Sequence, residues 1–293
     1  MAGCFNGSQC GHYRFLVTNL RSGEHSRAMM RPQFAREQIS DLEMTERHVQ
    51  NMMRALDANL NANKRTDCVD LQVLFFRLTL DSATEFLFGE SVDSQVRLLP
   101  GYQDGNEKAS DASSADFAAA FDKGQMALAT RGRFGDKFYL CNPKGFKEDC
   151  NVCHKFIDHF VRLALSKNLR EKELESGSKE KYVFLEALAT QTQDPIELRS
   201  QLLNILLAGR DTTASLLGWL FLNLARDPAR YEKLRNIIIQ EFGTYDNPKD
   251  ITFARMKGCQ YLQHCNNETL RLYPVVPINS RFANKDTTIP RGG

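Results

Sequence analysis

A long apolar segment between Asp194 and Arg226 constrains this chain more than any other feature. Asp194, Pro195 and Glu197 give the signal for a helix start of the capping-box type. The apolar pattern then continues to Arg226, which corresponds to a helix of about 48 Å at 1.5 Å per residue. A helix of this length that is apolar on most sides is expected to run through a core rather than lie on a surface. The segment therefore predicts a mainly α-helical fold organised around one long central helix.

A polar motif, Gly209-Arg210-Asp211-Thr212-Thr213, interrupts the middle of this helix. An interior glycine costs about 1 kcal/mol relative to alanine, and a threonine can bond to the carbonyl four residues earlier and bend a helix. A local opening would let Asp211, Thr212 and a water share exchangeable protons inside an apolar wall, which suits acid catalysis. The alternative is a kinked core helix in which Asp211 pairs with an arginine. Helix physics alone favours this alternative.

The rest of the chain reads as further helices with little β-structure. Apolar residues recur at the helical period from about Pro32 to Leu56. Residues 104–115 are polar and predict a link, and residues 168–181 predict a solvated loop or a frayed helix end. The other predicted helices cover about 70–89, 116–129, 146–167, 228–243 and 258–273, and short strands are predicted at 278–283 and 287–289.

Composition excludes several classes of protein. The formal net charge of +2 gives no support for nucleic-acid binding. Eight cysteines are scattered along a chain whose first residues lack the apolar core of a secretory signal, so we expect an intracellular, reduced protein. No segment is expected to span a membrane, because Arg210 and Asp211 divide the best candidate into pieces well below about 20 residues. Cys150 and Cys153 have the spacing of half a zinc site without a second pair nearby, so no metal site is predicted.

A second motif, Glu268-Thr-Leu-Arg271, lies on a later predicted helix and is followed by Tyr273-Pro274. Residues three apart share a helix face, so Glu268 and Arg271 can form an ion pair. In this order and at this separation, the two motifs resemble those of the cytochrome P-450 haem-thiolate monooxygenases. Their residues are most similar to those of the fungal alkane and fatty-acid hydroxylase branch. The resemblance implies an incomplete helical fold of that type, mainly α, with a small β segment near the C-terminus.

The resemblance also implies roles for particular residues. Ala208 and Gly209 would line the oxygen pocket, and Asp211 and Thr212 would deliver the protons needed to split dioxygen. The pair formed by Glu268 and Arg271 would be structural. Two arginines would bind the haem propionates, a task that suits a forked guanidinium; they are Arg281 and Arg27.

The match at Arg27 is partial. The family usually has a tryptophan four residues before that arginine, where this chain has Gly23. The resemblance begins at about residue 24, so we expect an atypical N-terminal segment over 1–22 and a partial domain over 23–293. The family's N-terminal membrane anchor does not occur in the sequence. Neither does its Phe-x-x-Gly-x-x-x-Cys loop, whose thiolate ligates iron.

The functional expectations follow from the resemblance and from this missing loop. The family implies a haem cofactor, an NADPH-dependent flavoprotein reductase as partner, an apolar small-molecule substrate such as an n-alkane or fatty acid, and the endoplasmic-reticulum membrane. No cysteine present is expected to act as the axial iron ligand, so the chain as it stands is predicted to be inactive. The alternative is a non-catalytic helical fragment that binds no haem and acts through protein interactions.

Overall fold

The computed structural model describes residues 20–34, 42–60, 68–97, 99, 114–174, 183–278, 286 and 288. Helices dominate these residues and no strand forms among them; Gly243 and Pro248 make an isolated β-bridge. The prediction of a mainly α-helical fold is confirmed. The strands predicted at 278–283 and 287–289 fall almost wholly outside the described residues. The α-helices, in chain order, are α1 Leu20–Met30, α2 Glu43–Asp57, α3 Leu71–Phe88, α4 Ser114–Arg133, α5 Phe146–Leu174, α6 Phe184–Ala189, α7 Pro195–Arg226, α8 Pro228–Phe242, α9 Phe253–Gly258 and α10 Gln260–Leu272. Short 3-10 helices cover Arg31–Phe34 and Gly135–Leu140.

Local capping explains where several helices begin and end. The side chain of Asp70 accepts a hydrogen bond from Gln72 N at 2.9 Å, and α3 ends at Gly89, whose φ of 80° favours glycine. Asp227 likewise caps α8 by accepting from Arg230 N at 3.1 Å. Helix α8 ends at Gly243, where a Cβ atom would clash with the Asn247 carbonyl oxygen. The sequence predicted these ends to within a few residues.

The start of α7 differs from the predicted capping box. The Asp194 carboxylate accepts from Ile196 N at 2.9 Å, as an N-cap should. Glu197 does not reach back to the backbone of Asp194; its carboxylate accepts from the Thr192 hydroxyl at 2.8 Å. Thr192 Oγ1 in turn accepts from Asp194 N at 3.4 Å, so a third side chain completes the cap.

The chain divides into two compact units, residues 1–214 and 215–293, with the boundary inside α7. The core of the first unit is rich in aromatic side chains. Phe117 stacks on Phe156 with ring centroids 4.0 Å apart, and Phe88 stacks on Phe160 at 4.7 Å. The buried residues Leu198, Leu202, Leu203 and Leu206 carry the first half of α7 into this core. Such burial stabilises each leucine by about 1.5–3 kcal/mol.

In the second unit, α7, α8 and α10 share a smaller core. Leu220 and Leu224 of α7 pack with Leu234 of α8. The ring of Trp219, the single tryptophan of the chain, lies parallel to that of Tyr273 with centroids 4.0 Å apart. Tyr273 directly follows α10, so this stack fixes the end of α10 against α7.

Helix α7 also bears on the expectation that no segment spans a membrane. By length and a mean hydropathy of 1.2, Pro195–Arg226 is apolar enough to cross one, which corrects that expectation on these two criteria. The motif charges lower the hydropathy less than the flanking leucines and isoleucines raise it. Core helices of soluble proteins pass the same test, so the finding is weak evidence for a membrane span.

Candidate active site on the central helix

The predicted proton-delivery residues lie in one turn of α7, and the helix there is unbroken. The structure assigns α-helix continuously from Pro195 to Arg226, with no local opening at the motif. Thr212 Oγ1 donates to the Ala208 carbonyl oxygen at 2.6 Å, so the hydroxyl is held against its own helix. The motif is therefore accommodated within a continuous α-helix.

Ala208 and Gly209 form an open patch on this helix. Both are exposed, although Leu203 and Leu206, less than two turns earlier, are fully buried. A Cβ atom added at Gly209 would meet no heavy atom within 4 Å. These two small residues thus leave room for a bulky apolar group beside Thr212.

Asp211 sits beside this patch and pairs with its chain neighbour. Its carboxylate accepts from Arg210 Nη1 at 3.1 Å, while about a third of the side chain, 34%, stays exposed. Burial raises the pKa of Asp211 above the ordinary aspartate range. The Arg210 charge opposes the rise, and the nearby Asp122 carboxylate adds to it. Asp211 therefore holds a proton more tightly than a solvated aspartate does.

Arg210 is a buried cation at the centre of the motif. Its side chain is only 5% exposed, and its Nη2 donates to the Asp122 carboxylate on α4. The guanidinium carbon lies 4.8 Å from the ring centroid of Phe76 and 5.4 Å from that of Phe121. Cations at such distances from aromatic faces are attracted to them. The sequence predicted an arginine partner for Asp211 without saying which one. That partner is its immediate neighbour, Arg210.

Arg27, the candidate for one haem propionate, is exposed on α1. Helix α1 is tied to α7 at the preceding residue, because Gln201 Nε2 donates to Ser26 Oγ at 2.7 Å in a buried contact. A second tie joins His25 to Glu197 at 3.0 Å. The exposed guanidinium of Arg27 therefore lies on a helix that is hydrogen-bonded to α7. Arg281, the other candidate, lies outside the described residues.

Glu268 and Arg271 form the ion pair that their spacing allows. Two parallel hydrogen bonds of 2.7 Å join the carboxylate to Arg271 Nε and Nη2. The hydrogen bonds from Arg271 lower the pKa of Glu268. Both side chains are exposed, a setting in which such pairs contribute little to stability. The structural role that the resemblance implies for this pair stays a prediction.

The described residues fit haem in two respects. A flat apolar macrocycle needs a face of small residues, which Ala208 and Gly209 supply, and a cation for its carboxylates, which Arg27 can supply. Cys265 is less suitable as a thiolate ligand. Burial raises the pKa of the half-buried Cys265, which keeps that thiol protonated near neutral pH. Among the described residues, no three metal-ligating side chains cluster.

Sequence reasoning missed the partners that hold the motif in place. Asp122, Phe76 and Phe121 lie far from Arg210 along the chain and carry no motif of their own. A sequence signal did exist, since an arginine inside a core helix needs an acid partner. The sequence could not say which acid supplies it.

Comparisons with known proteins identify the family of the chain. The family model for cytochrome P-450 matches residues 8–291, a range that begins within the first 22 residues. The chain is 60% identical over 272 residues to "Cytochrome P-450 monooxygenase g430" of a Fusarium species, covering 92% of this chain and 47% of that protein. It is 48% identical over 272 residues to cytochrome P-450 52A10 of Candida maltosa, covering 92% and 50%. For cytochrome P-450 52A12 of Debaryomyces hansenii the identity is 47% over 276 residues, covering 92% and 51%. The chain thus spans about half the length of these curated relatives.

Two solved structures share the fold at low sequence identity. The heme domain of a cytochrome P-450DA mutant aligns with a TM-score of 0.65 at 15% identity, over 92% of this chain and 55% of that one. A second cytochrome P-450 aligns with a TM-score of 0.65 at 18% identity, over 94% and 59%. At these identities the likeness concerns the fold alone.

Proposed function

Because this chain belongs to the cytochrome P-450 family, we propose that its function is part of a haem-dependent monooxygenase that hydroxylates aliphatic chains, and that these 293 residues, which lack the axial cysteine loop, do not catalyse the reaction by themselves. The family carries haem and draws electrons from a redox partner reductase. The proposed electron donor here is an NADPH-dependent flavoprotein, and the proposed location is the endoplasmic-reticulum membrane. The proposed substrates are n-alkanes or fatty acids, because both motifs resemble those of the fungal hydroxylases of such chains.

The observation that carries the proposal is the open patch of Ala208 and Gly209 beside Asp211 and Thr212. Haem, when bound, supplies the activation of dioxygen. The chain's own residues would then do three things. The two small residues leave room at the helix surface, Arg27 binds a propionate, and Asp211 holds a proton at its carboxyl group.

The proton-delivery role rests on where the two polar groups are held. The raised pKa of Asp211 lets its carboxyl carry a proton closer to neutral pH than a solvated aspartate can. The Thr212 hydroxyl donates to Ala208 and keeps lone pairs with which it can accept a second hydrogen bond. An acid and a hydroxyl at adjacent positions can therefore pass a proton toward the patch through one water.

Haem uptake tests the proposal. The 293-residue chain is expressed with haem available, and the haem content and the carbon-monoxide difference spectrum of the reduced protein are measured. We expect haem in the folded chain and a change of the Soret band on adding dodecane or lauric acid, but not on adding glycerol. A folded chain without haem would instead support the non-catalytic helical fragment. A red-shifted thiolate-type band would show that a cysteine of this chain ligates iron, contrary to the expectation from sequence.

A further inference from the structure

The guanidinium of Arg210 is divided between two acids on different helices. Nη1 donates to Asp211 on α7, and Nη2 donates to Asp122 on α4. An arginine fork more often engages both oxygens of one carboxylate, which gives a stronger and better oriented pair. Here each acid receives one arm of the fork, so each is held less firmly than it would be alone.

Two aromatic rings lie against that fork. Phe76 on α3 and Phe121 on α4 lie 4.8 Å and 5.4 Å from the guanidinium carbon. The side chain is 5% exposed, and its buried Nε has no hydrogen-bond partner among the described residues. Leaving a buried donor unpaired is costly. The arrangement thus keeps Arg210 turned toward the two acids at the expense of its third donor position.

We propose that Arg210 is a positioning residue for Asp211, and that Asp122 competes with Asp211 for its guanidinium. The meaning of this competition for proton delivery rests on the proposed function. The competition itself concerns only residues of this chain and needs no cofactor. No sequence motif marks Asp122, which lies within α4.

The charges around Asp211 give the direction of the effect. Arg210 on α7 favours the ionised form of Asp211, Asp122 on α4 disfavours it, and α3 contributes the uncharged Phe76. Removing the Asp122 charge therefore lowers the pKa of Asp211 in two ways. It deletes a repelling carboxylate, and it weakens the hold on the second arm of Arg210, because a neutral amide oxygen accepts a weaker hydrogen bond than a carboxylate does. Removing the Arg210 charge has the opposite sign, because burial is then unopposed.

The test follows the carboxyl carbon of Asp211 by nuclear magnetic resonance in the full chain labelled with carbon-13 at aspartate carboxyl groups. The variant Asp211→Asn identifies the resonance. In Asp122→Asn we expect the titration midpoint of Asp211 to move to lower pH. In Arg210→Met it should move to higher pH. Arg210→Lys, which keeps the charge but not the planar fork, should fall between wild type and Arg210→Met.

A matched control separates this effect from a general loss of surface charge. Asp158 on α5 also pairs with an arginine of α7, since Arg199 Nη1 donates to it at 2.7 Å. The variant Asp158→Asn removes the same chemical group from the same kind of contact, and it should leave the Asp211 midpoint unchanged. The variation of the Asp211 midpoint in repeated measurements on Asp158→Asn sets the smallest shift that counts as an effect of Asp122→Asn.

Two results would overturn the proposal. One is that Asp122→Asn and Asp158→Asn give the same titration midpoint for Asp211. The other is an Arg210→Lys variant that titrates as wild type, which would show that the fork is not needed. Asp122 is 59% exposed, so its asparagine variant should fold even if the Arg210 variants do not, and it then decides the matter alone. Absence of haem uptake would sink the proposed function while leaving these titrations valid.

Discussion

The Thr212 hydroxyl donates to the Ala208 carbonyl oxygen at 2.6 Å, one helical turn earlier. The bond lies next to the open patch. Its acceptor is a backbone carbonyl within the continuous helix. Its loss strands no buried donor. We therefore regard Thr212 as a residue kept for chemistry rather than for the stability of α7.

Replacement of Thr212 by valine tests this view through stability. We expect Thr212→Val to change the free energy of unfolding by less than about 1 kcal/mol. Thr84→Val is the matched comparison, because Thr84 is buried and also accepts from Val92 N at 3.3 Å. That change strands a buried N–H and should cost about 1–3 kcal/mol. Urea unfolding of both variants decides, and equal losses would contradict the assignment.

The raised pKa of Asp211 should be visible in how the free energy of unfolding changes with pH in the acid range. A carboxyl whose pKa is higher in the folded chain binds its proton more tightly there. The free energy of unfolding therefore falls as pH rises from about 3.9, the ordinary aspartate value, through the raised one. Asp211→Asn lacks this fall, so the wild-type stability minus that of the variant should decrease across this window. Unfolding at a series of pH values measures it, and a constant difference would contradict the prediction.

Asp81 should prove essential to the first unit although no sequence motif marks it. Its buried carboxylate accepts from Ser94 N at 2.7 Å and Gln95 N at 3.0 Å. Burial raises the pKa of Asp81 despite these bonds. We expect Asp81→Ala to lower the free energy of unfolding by at least about 2 kcal/mol, because the buried N–H of Gln95 and the partly buried N–H of Ser94 lose their acceptor. The exposed Asp57→Ala should stay close to wild type in the same thermal melts, and a similar loss in both would refute this role.

Trp219 allows the second unit to be followed on its own. Its ring stacks on Tyr273 with an interplanar angle of 4°. We expect Tyr273→Ala to shift the tryptophan emission to longer wavelength and to destabilise this unit by about 0.5–1.5 kcal/mol beyond the lost area. Tyr245→Ala, which truncates an exposed tyrosine of the same unit, is the control. Unchanged emission in Tyr273→Ala would mean that the stack is not formed in solution.

The sequence predicted the parts of the fold that local chemistry decides. Asp70, Asp227 and Gly243 act within a few residues of themselves, and the helices they delimit begin and end close to the predicted positions. The start of α7 shows the limit of this reasoning. Glu197 matches the capping-box pattern, but the hydroxyl of Thr192 competes for its carboxylate.

The candidate site shows a different limit. The resemblance of the motif predicted roles for Ala208, Gly209, Asp211 and Thr212, which are neighbours on α7. Whether Asp211 opened the helix or paired with an arginine depended on tertiary contacts. Arg210 also donates to Asp122, which is 88 residues distant along the chain. Helix periodicity carries no information about such a partner.

The most direct test of the proposed site is the haem affinity of two leucine variants. Gly209 and Gly218 both lie in α7, and a Cβ atom at either would meet nothing within 4 Å. Both changes should favour the helix by similar amounts, so their stability effects match. We predict that Gly209→Leu weakens haem binding tenfold or more, about 1.4 kcal/mol, while Gly218→Leu stays within about twofold of wild type. Equal affinities in the two variants would contradict a haem site at the Ala208–Gly209 patch.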